Sequence, residues 1–192
     1  MASTILVDKI DPQSGTALEL GSSGDTLTVP SGATLSIASG ATITNSGTAT
    51  GFGEDNTPAF QAYLSSNQSV SSGTATKINI NTELYDTGGG YDTSNYKFVV
   101  PSGGAGKYYI YGSAQTTSSS DFDDYQVKIY VNGSNYAQAR VRHHYAECIN
   151  VVTQANLSVS DYVELYVYSG SAVDIFGADE CSFFGAYKLI GA

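Results

Sequence analysis

The residues of this chain that could do chemistry fall into a few clusters. Arg140, Arg142 and His144 alternate with Val141, His143 and Tyr145. On a strand, that alternation puts both arginines and His144 on one face. The chain has a formal net charge of −10 and only eight Lys and Arg residues, so two arginines this close together stand out. Such a strand suits two roles: a positive patch that takes acidic sugars or phosphates of a cell envelope, or a structural strand whose arginines pair with nearby carboxylates. Asp121, Asp123 and Asp124 make an acidic loop, and Asp174, Asp179 and Glu180 make a second cluster. Carboxylates gathered on loops are Ca²⁺ donors, but EF-hand spacing is absent and solvated loops share the same composition. Cys148 and Cys181 are the only cysteines. Without a CxxC pair they read as two buried free thiols, with pairing between them left open. A metal site built from both cysteines with His143 or His144 lacks any ligand pair at metal-site spacing.

Catalytic patterns are missing from the rest. The sequence has no HExxH, GxSxG, P-loop or dinucleotide fingerprint. Gly88-Gly89-Gly90 and Gly103-Gly104-Ala105-Gly106 lie between strand-like runs and precede no helix, which makes them turns rather than phosphate cradles. His143 and His144 are adjacent and point to opposite faces of a strand, a poor start for a Ser-His-Asp triad. No catalytic or cofactor-binding residue is expected, and no enzyme. A pI near 4.3 disfavours nucleic acid, whose phosphates need Lys and Arg, and disfavours docking on an anionic membrane. No apolar run approaches the ~20 residues of a membrane span, and the first residues lack the basic and apolar regions of a signal peptide. The expectation is a protein made in a cytoplasm and exposed on a particle.

Two kinds of element must carry these residues. In residues 21–53, steps of eight superpose Leu27, Leu35 and Ile43, and likewise Val29 and Ile37, with Gly32 and Gly40 each followed by Ala-Thr. Each octad is a short apolar/polar/apolar strand followed by a small-residue turn, and it buries little unless it stacks or wraps with identical chains. Residues 57–192 instead show period-two alternation at Ile78/Ile80, at Val127/Ile129/Val131 and at Val163/Leu165/Val167, the mark of strands with one buried face. Asn132-Gly133 is a type I′ hairpin signal. The pattern predicts an all-β chain with a sandwich or jelly roll at its C-terminal end.

Residues 57–192 resemble the globular head of complement component q, a tumour-necrosis-factor-like jelly roll. The resemblance rests on Thr57-Pro58-Ala59-Phe60-Gln61-Ala62, on Phe98-Val99-Val100-Pro101 followed by Gly106-Lys107-Tyr108-Tyr109-Ile110-Tyr111, on Leu157 with Asp161-Tyr162-Val163-Glu164-Leu165, and on Phe183-Phe184-Gly185-Ala186-Tyr187-Lys188-Leu189. Ser160 stands where the family has Gly, and Ser102-Gly103-Gly104-Ala105 looks inserted. Residues 1–53 resemble the opening and repetitive shaft of marine phage fibre proteins. The resemblance implies a homotrimer around an axis lined by side chains for which Tyr109, Tyr111, Tyr166, Tyr168, Phe183 and Phe184 are candidates. The same rings could equally fill the core of one subunit. It also implies Ca²⁺ sites in some members, with Asp121, Asp123, Asp124, Asp174 and Asp179 as candidates here. The expected organisation is an attachment segment at 1–20, which would join another virion protein, an octad shaft at 21–53 and a head at 57–192. The expected function is a phage virion fibre, on tail or capsid, whose head binds a host glycan or protein through Arg140, Arg142 and His144. The alternative is a purely structural decoration fibre with the head as trimerisation cap.

Overall fold

The computed structural model describes residues 18, 20–44, 46, 56–117, 124–142 and 148–189, and the chain divides into two units, Met1–Thr50 and Gly51–Ala192. Most of the attachment segment predicted at 1–20 therefore lies outside the described residues, as do the end of the octad region, Asp121, Asp123, His143 and His144.

In the first unit the octads appear as turns. Asp25 N donates to Ser22 O, Ala33 N to Pro30 O and Ala41 N to Ala38 O, each at 3.0 Å. The third residue of each turn is a glycine with positive φ: Gly24 at 92°, Gly32 at 84° and Gly40 at 84°. That is type II geometry, which only glycine adopts without cost. The turns recur every eight residues, as the sequence alignment requires. The segments between them form no regular element, and among the described residues of this unit none is paired in a ladder. Leu27, Val29, Leu35, Ile37 and Ile43 are all exposed, Leu27 at 71% and Leu35 at 66%.

The described residues of the second unit form thirteen strands: β1 Ala59–Tyr63, β2 Gln68–Val70, β3 Thr76–Lys77, β4 Thr82–Asp86, β5 Tyr91–Asp92, β6 Lys97–Val99, β7 Gly106–Gln115, β8 Tyr125–Val131, β9 Ser134–Val141, β10 Cys148–Leu157, β11 Tyr162–Ser169, β12 Val173–Ile175 and β13 Phe183–Lys188. One sheet runs β10-β7-β13-β1-β4 and the other β5-β6-β11-β8-β9, with β3 on β11; β2 and β12 form a small pair. The pairings are antiparallel, which lets each sheet keep one dry and one wet face. Alternation sends Ile110, Phe184 and Phe60 inward from the first sheet and Val127, Ile129, Val163, Leu165 and Val167 inward from the second. Phe60 joins the two layers, stacking on Tyr91 at 4.7 Å and Phe98 at 4.8 Å and meeting Phe184 edge-on at 5.3 Å. Three buried tyrosines satisfy their hydroxyls on backbone carbonyls: Tyr91 on Ile80 at 2.8 Å, Tyr108 on Gly104 at 2.6 Å and Tyr125 on Ala114 at 3.0 Å. Burial pushes the Tyr108 hydroxyl up to about 12, so it stays a donor at physiological pH.

The Asn132-Gly133 signal is realised as the β8–β9 hairpin, with φ of 50° and 75°. The Ile78–Ile80 run departs from expectation. Both side chains are buried, but the ladder covers only Thr76–Lys77, and Ile78 holds on by one bond from its N to Leu165 O at 2.9 Å.

Candidate functional site

The sandwich presents two outward faces of opposite chemistry. On the first sheet, Tyr109, Tyr111, Phe183 and Tyr187 occupy the wet parity of β7 and β13, flanked by Gln61 and Tyr63 of β1. Register places Tyr109 against Tyr187 and Tyr111 against Gly185. Tyr109 packs 5.4 Å from Tyr187 and 6.1 Å from Tyr111, and Tyr111 lies 6.2 Å from Phe183. The Tyr111 hydroxyl donates to Gln61 Oε1 at 3.1 Å. Burial, followed by the neighbouring Tyr85, raises its pKa. Across β10 the same face continues through Asn150, Val152 and Gln154, opposite Ser113, Tyr111 and Tyr109. Val152 is 56% exposed. This is an aromatic and amide surface, with Lys107 at its end on the same parity of β7.

The second sheet's outward face carries Tyr162, Glu164, Tyr166 and Tyr168 of β11 beside Gln126, Lys128 and Tyr130 of β8. Lys77 lies opposite Tyr166, and Lys97 faces outward from β6. Tyr130 stacks on Tyr166 at 4.1 Å. The Lys97 ammonium sits 4.9 Å from the Tyr162 ring centre, and that of Lys128 sits 5.4 Å from the Tyr168 ring centre. Lys77 bonds Glu164 at 2.9 Å.

These faces divide the six predicted axis residues. Tyr109, Tyr111 and Phe183 share the first face, while Tyr166 and Tyr168 lie on the opposite side of the sandwich. Phe184 is on neither: it is fully buried against Phe60, because β13 alternates and its neighbour Phe183 has taken the outward parity. Six residues chosen for one axis therefore belong to three environments.

The predicted ligand strand is also redistributed. β9 ends at Val141, so Arg142 lies beyond the ladder. Arg140 forks onto Asp124, Nε to Oδ1 and a terminal nitrogen to Oδ2, both at 2.7 Å. That is the structural ion-pair role. Burial raises the Asp124 pKa, but the hydrogen bonds from Arg140 and Gln126 and the charges of Arg140 and Arg142 outweigh it, and the net shift is downward. Asp124 is thereby committed to Arg140, and Asp174 accepts from the Ser69 hydroxyl at 2.6 Å. Among the described residues, no group of three or more His, Cys, Asp or Glu is placed to hold a metal. Cys148 is exposed and Cys181 half-buried, contrary to the buried thiols expected. Cys148 opens β10 on its outward parity, and its Sγ lies 3.2 Å from the Ser113 hydroxyl.

Lys97, Lys128, Tyr130 and Tyr162 were not singled out from the sequence. The alternation in QVKIYV and YVELYVY already groups Lys128 with Tyr130 and Tyr162 with Tyr166 and Tyr168. Their meeting across strands requires the register.

Known structures share the fold of the second unit. The crystal structure of murine APRIL at pH 5.0 superposes with a TM-score of 0.55 and 12% identity, covering 68% of this chain and 98% of that one. The same protein at pH 8.0 gives 0.54 and 14%, over the same shares. The globular domain of zebrafish complement 1qA gives 0.46 and 13%, covering 67% and 94%. The second unit thus has the jelly-roll fold of the murine APRIL structures. In sequence, the chain is 30% identical over 113 residues, 55% of its length, to "Uncharacterized protein YqcC" of Bacillus subtilis (strain 168), and it spans 29% of that protein. No family model matches.

Proposed function

We propose that this chain is a fibre protein whose jelly-roll head assembles as a homotrimer and binds a surface, without catalysing a reaction. The carrying observation is the outward face of the first sheet, where the rings of Tyr109, Tyr111, Phe183 and Tyr187 lie together, with the charged Lys107 at the end of β7 beside them. Tyrosine clusters that keep a polar tip are the composition of wet protein interfaces. Closed threefold pairing would cover that face in every copy.

The octad region supports the same reading. From Thr26 to Gly53 it contains no charged residue, its turns repeat every eight residues, and its aliphatic residues are exposed in the single chain. Identical chains share that period and do not repel along it. The finer assignment, a phage-like virion fibre that recognises a host surface, draws on the resemblance of residues 1–53 to such fibres. The decoration-fibre alternative is favoured by one observation: Arg140, the first residue of the expected ligand set, is paired with Asp124.

Sedimentation velocity on the intact chain tests the assembly. A single trimeric species is expected, and Tyr109→Asp with Tyr187→Asp should give folded monomers by circular dichroism. A wild-type monomer would sink the proposal. Purified protein added to host cells ahead of the particle should compete for adsorption; indifference favours the decoration role.

A further inference from the structure

The outward face of the second sheet differs from the rest of the molecule in charge. Lys77, Lys97, Lys128 and Arg140 are four of the chain's eight Lys and Arg residues, with Arg142 just past the end of β9, whereas among the described residues the acids here are Asp92, Asp124 and Glu164, three of the chain's 18 Asp and Glu. The face is therefore net positive on a protein of net charge −10. Two of the cations are consumed locally, Lys77 by Glu164 and Arg140 by Asp124. Among the described residues, Lys97, Lys128 and Arg142 have no ion-pair partner. Asp92, cross-strand from Lys97, is engaged with Asn95 and with the N–H groups of Ser94 and Asn95.

The free lysines are held over aromatic rings. Lys97 lies over Tyr162 and Lys128 over Tyr168, an arrangement that keeps an ammonium in place on an open surface. Tyr162 and Tyr168 are six residues apart on one strand, which spans about 20 Å at the rise of an extended chain. Between them lies the stacked pair Tyr130–Tyr166. The face is thus a row of phenol rings with one ammonium over the Tyr162 ring and another over the Tyr168 ring, and amides from Gln126, Asn135 and Gln138 on its β8–β9 side. A concave place elsewhere in the head is lined by β2 and β12 and the residues beside them, Ser69–Ser71 with Ala172–Asp174, and does not open here.

We propose that this face is a binding platform for an acidic polysaccharide. The spacing selects a polymer with anionic groups repeated along its length, since one small acid cannot reach both lysines. The rings receive the apolar C–H faces of sugar units, and the ammonium groups take carboxylates or sulfates. The proposal deepens the surface-binding reading above and rests on it, naming the ligand class and moving the site from Arg140 to Lys97 and Lys128.

The test is titration of the intact protein with polygalacturonate, dextran sulfate and neutral dextran at low ionic strength, with sedimentation on the same samples. Binding to an acidic polymer but not to dextran is expected, weakening as salt rises. Lys97→Gln with Lys128→Gln should weaken it by roughly tenfold or more while the assembly is unchanged, and Tyr166→Ser should weaken it at constant charge. Equal binding of dextran, an unaffected double variant, or equally tight binding of single-stranded DNA, which would mark a charge effect alone, overturns the proposal. A protein that competes for adsorption yet ignores both acidic polymers overturns it too, and leaves the surface-binding reading standing.

Discussion

The Tyr111 ring crosses directly over Gly185 of the adjacent strand, and its hydroxyl reaches past that glycine to Gln61 Oε1 on the strand beyond, at 3.1 Å. A Cβ at Gly185 would collide with Cζ and Oη of Tyr111 and come within 2.9 Å of the Phe60 carbonyl oxygen. One missing side chain thus lets a ring lie flat across the first sheet and gives the aromatic face its continuity.

Gly185→Ala should accordingly cost about 1–3 kcal/mol, the usual range for forcing atoms into a packed site. Thermal unfolding would show it as a lowered Tm. An unchanged Tm would mean that the ring relaxes freely, and the face would then be less rigid than described.

Ser160 has φ of 72° in the turn before β11, at the position where the resembled family carries glycine. A side chain there is strained, so Ser160→Gly should stabilise the head by about 0.5–1 kcal/mol. Equilibrium denaturation in urea provides the measurement. Asn132 in the facing hairpin also has positive φ, but its side chain is engaged: Nδ2 donates to Asp161 and Oδ1 accepts from Tyr162 N, both at 2.9 Å. The gain is therefore expected at Ser160 and not at Asn132.

Acid should weaken the head through Asp124. Its folded pKa lies below the ordinary value of about 3.9. A depressed carboxylate contributes stability that is complete above the unfolded pKa and disappears as pH falls through the folded one. Asp161 and Asp92 shift in the same direction, through hydrogen bonds led by Ser158 and by Asn95 respectively. Asp124→Asn should therefore be less stable than wild type near neutrality and approach it below about pH 4. A difference that is constant with pH would show that the Arg140 pair contributes nothing.

Leu35→Asp places a charge in the uncharged octad region, on a side chain that is 66% exposed in the single chain. If the octads wrap with identical chains, limited proteolysis should cut variant assemblies within residues 21–53 and leave wild type intact there. On the homotrimer proposed above, the head's assembly should be the same in both. Identical digestion patterns would remove the assembled-shaft reading.

Local periodicity carried much of this protein. Period-two runs at Val127–Val131 and Val163–Val167 marked strands, Asn132-Gly133 marked its own turn, and the octad spacing placed Gly32 and Gly40 where positive φ recurs. These features are legible because short-range sterics decide them. Alternation also shows that Phe183 and Phe184 face opposite ways, but it does not say which of them points inward. That choice followed from cross-strand register, which seated Phe184 on Phe60 and left Phe183 beside Tyr111. The same long-range pairing put Tyr166 and Tyr168 on the other sheet from Tyr109 and Tyr111. It brought Asp124 within reach of Arg140, 16 residues away, and set the lysines of two strands over the tyrosines of a third. Parity is written residue by residue in the chain; which parity is dry, and which strand lies beside which, depends on burying one shared core, and only the folded sandwich decided it.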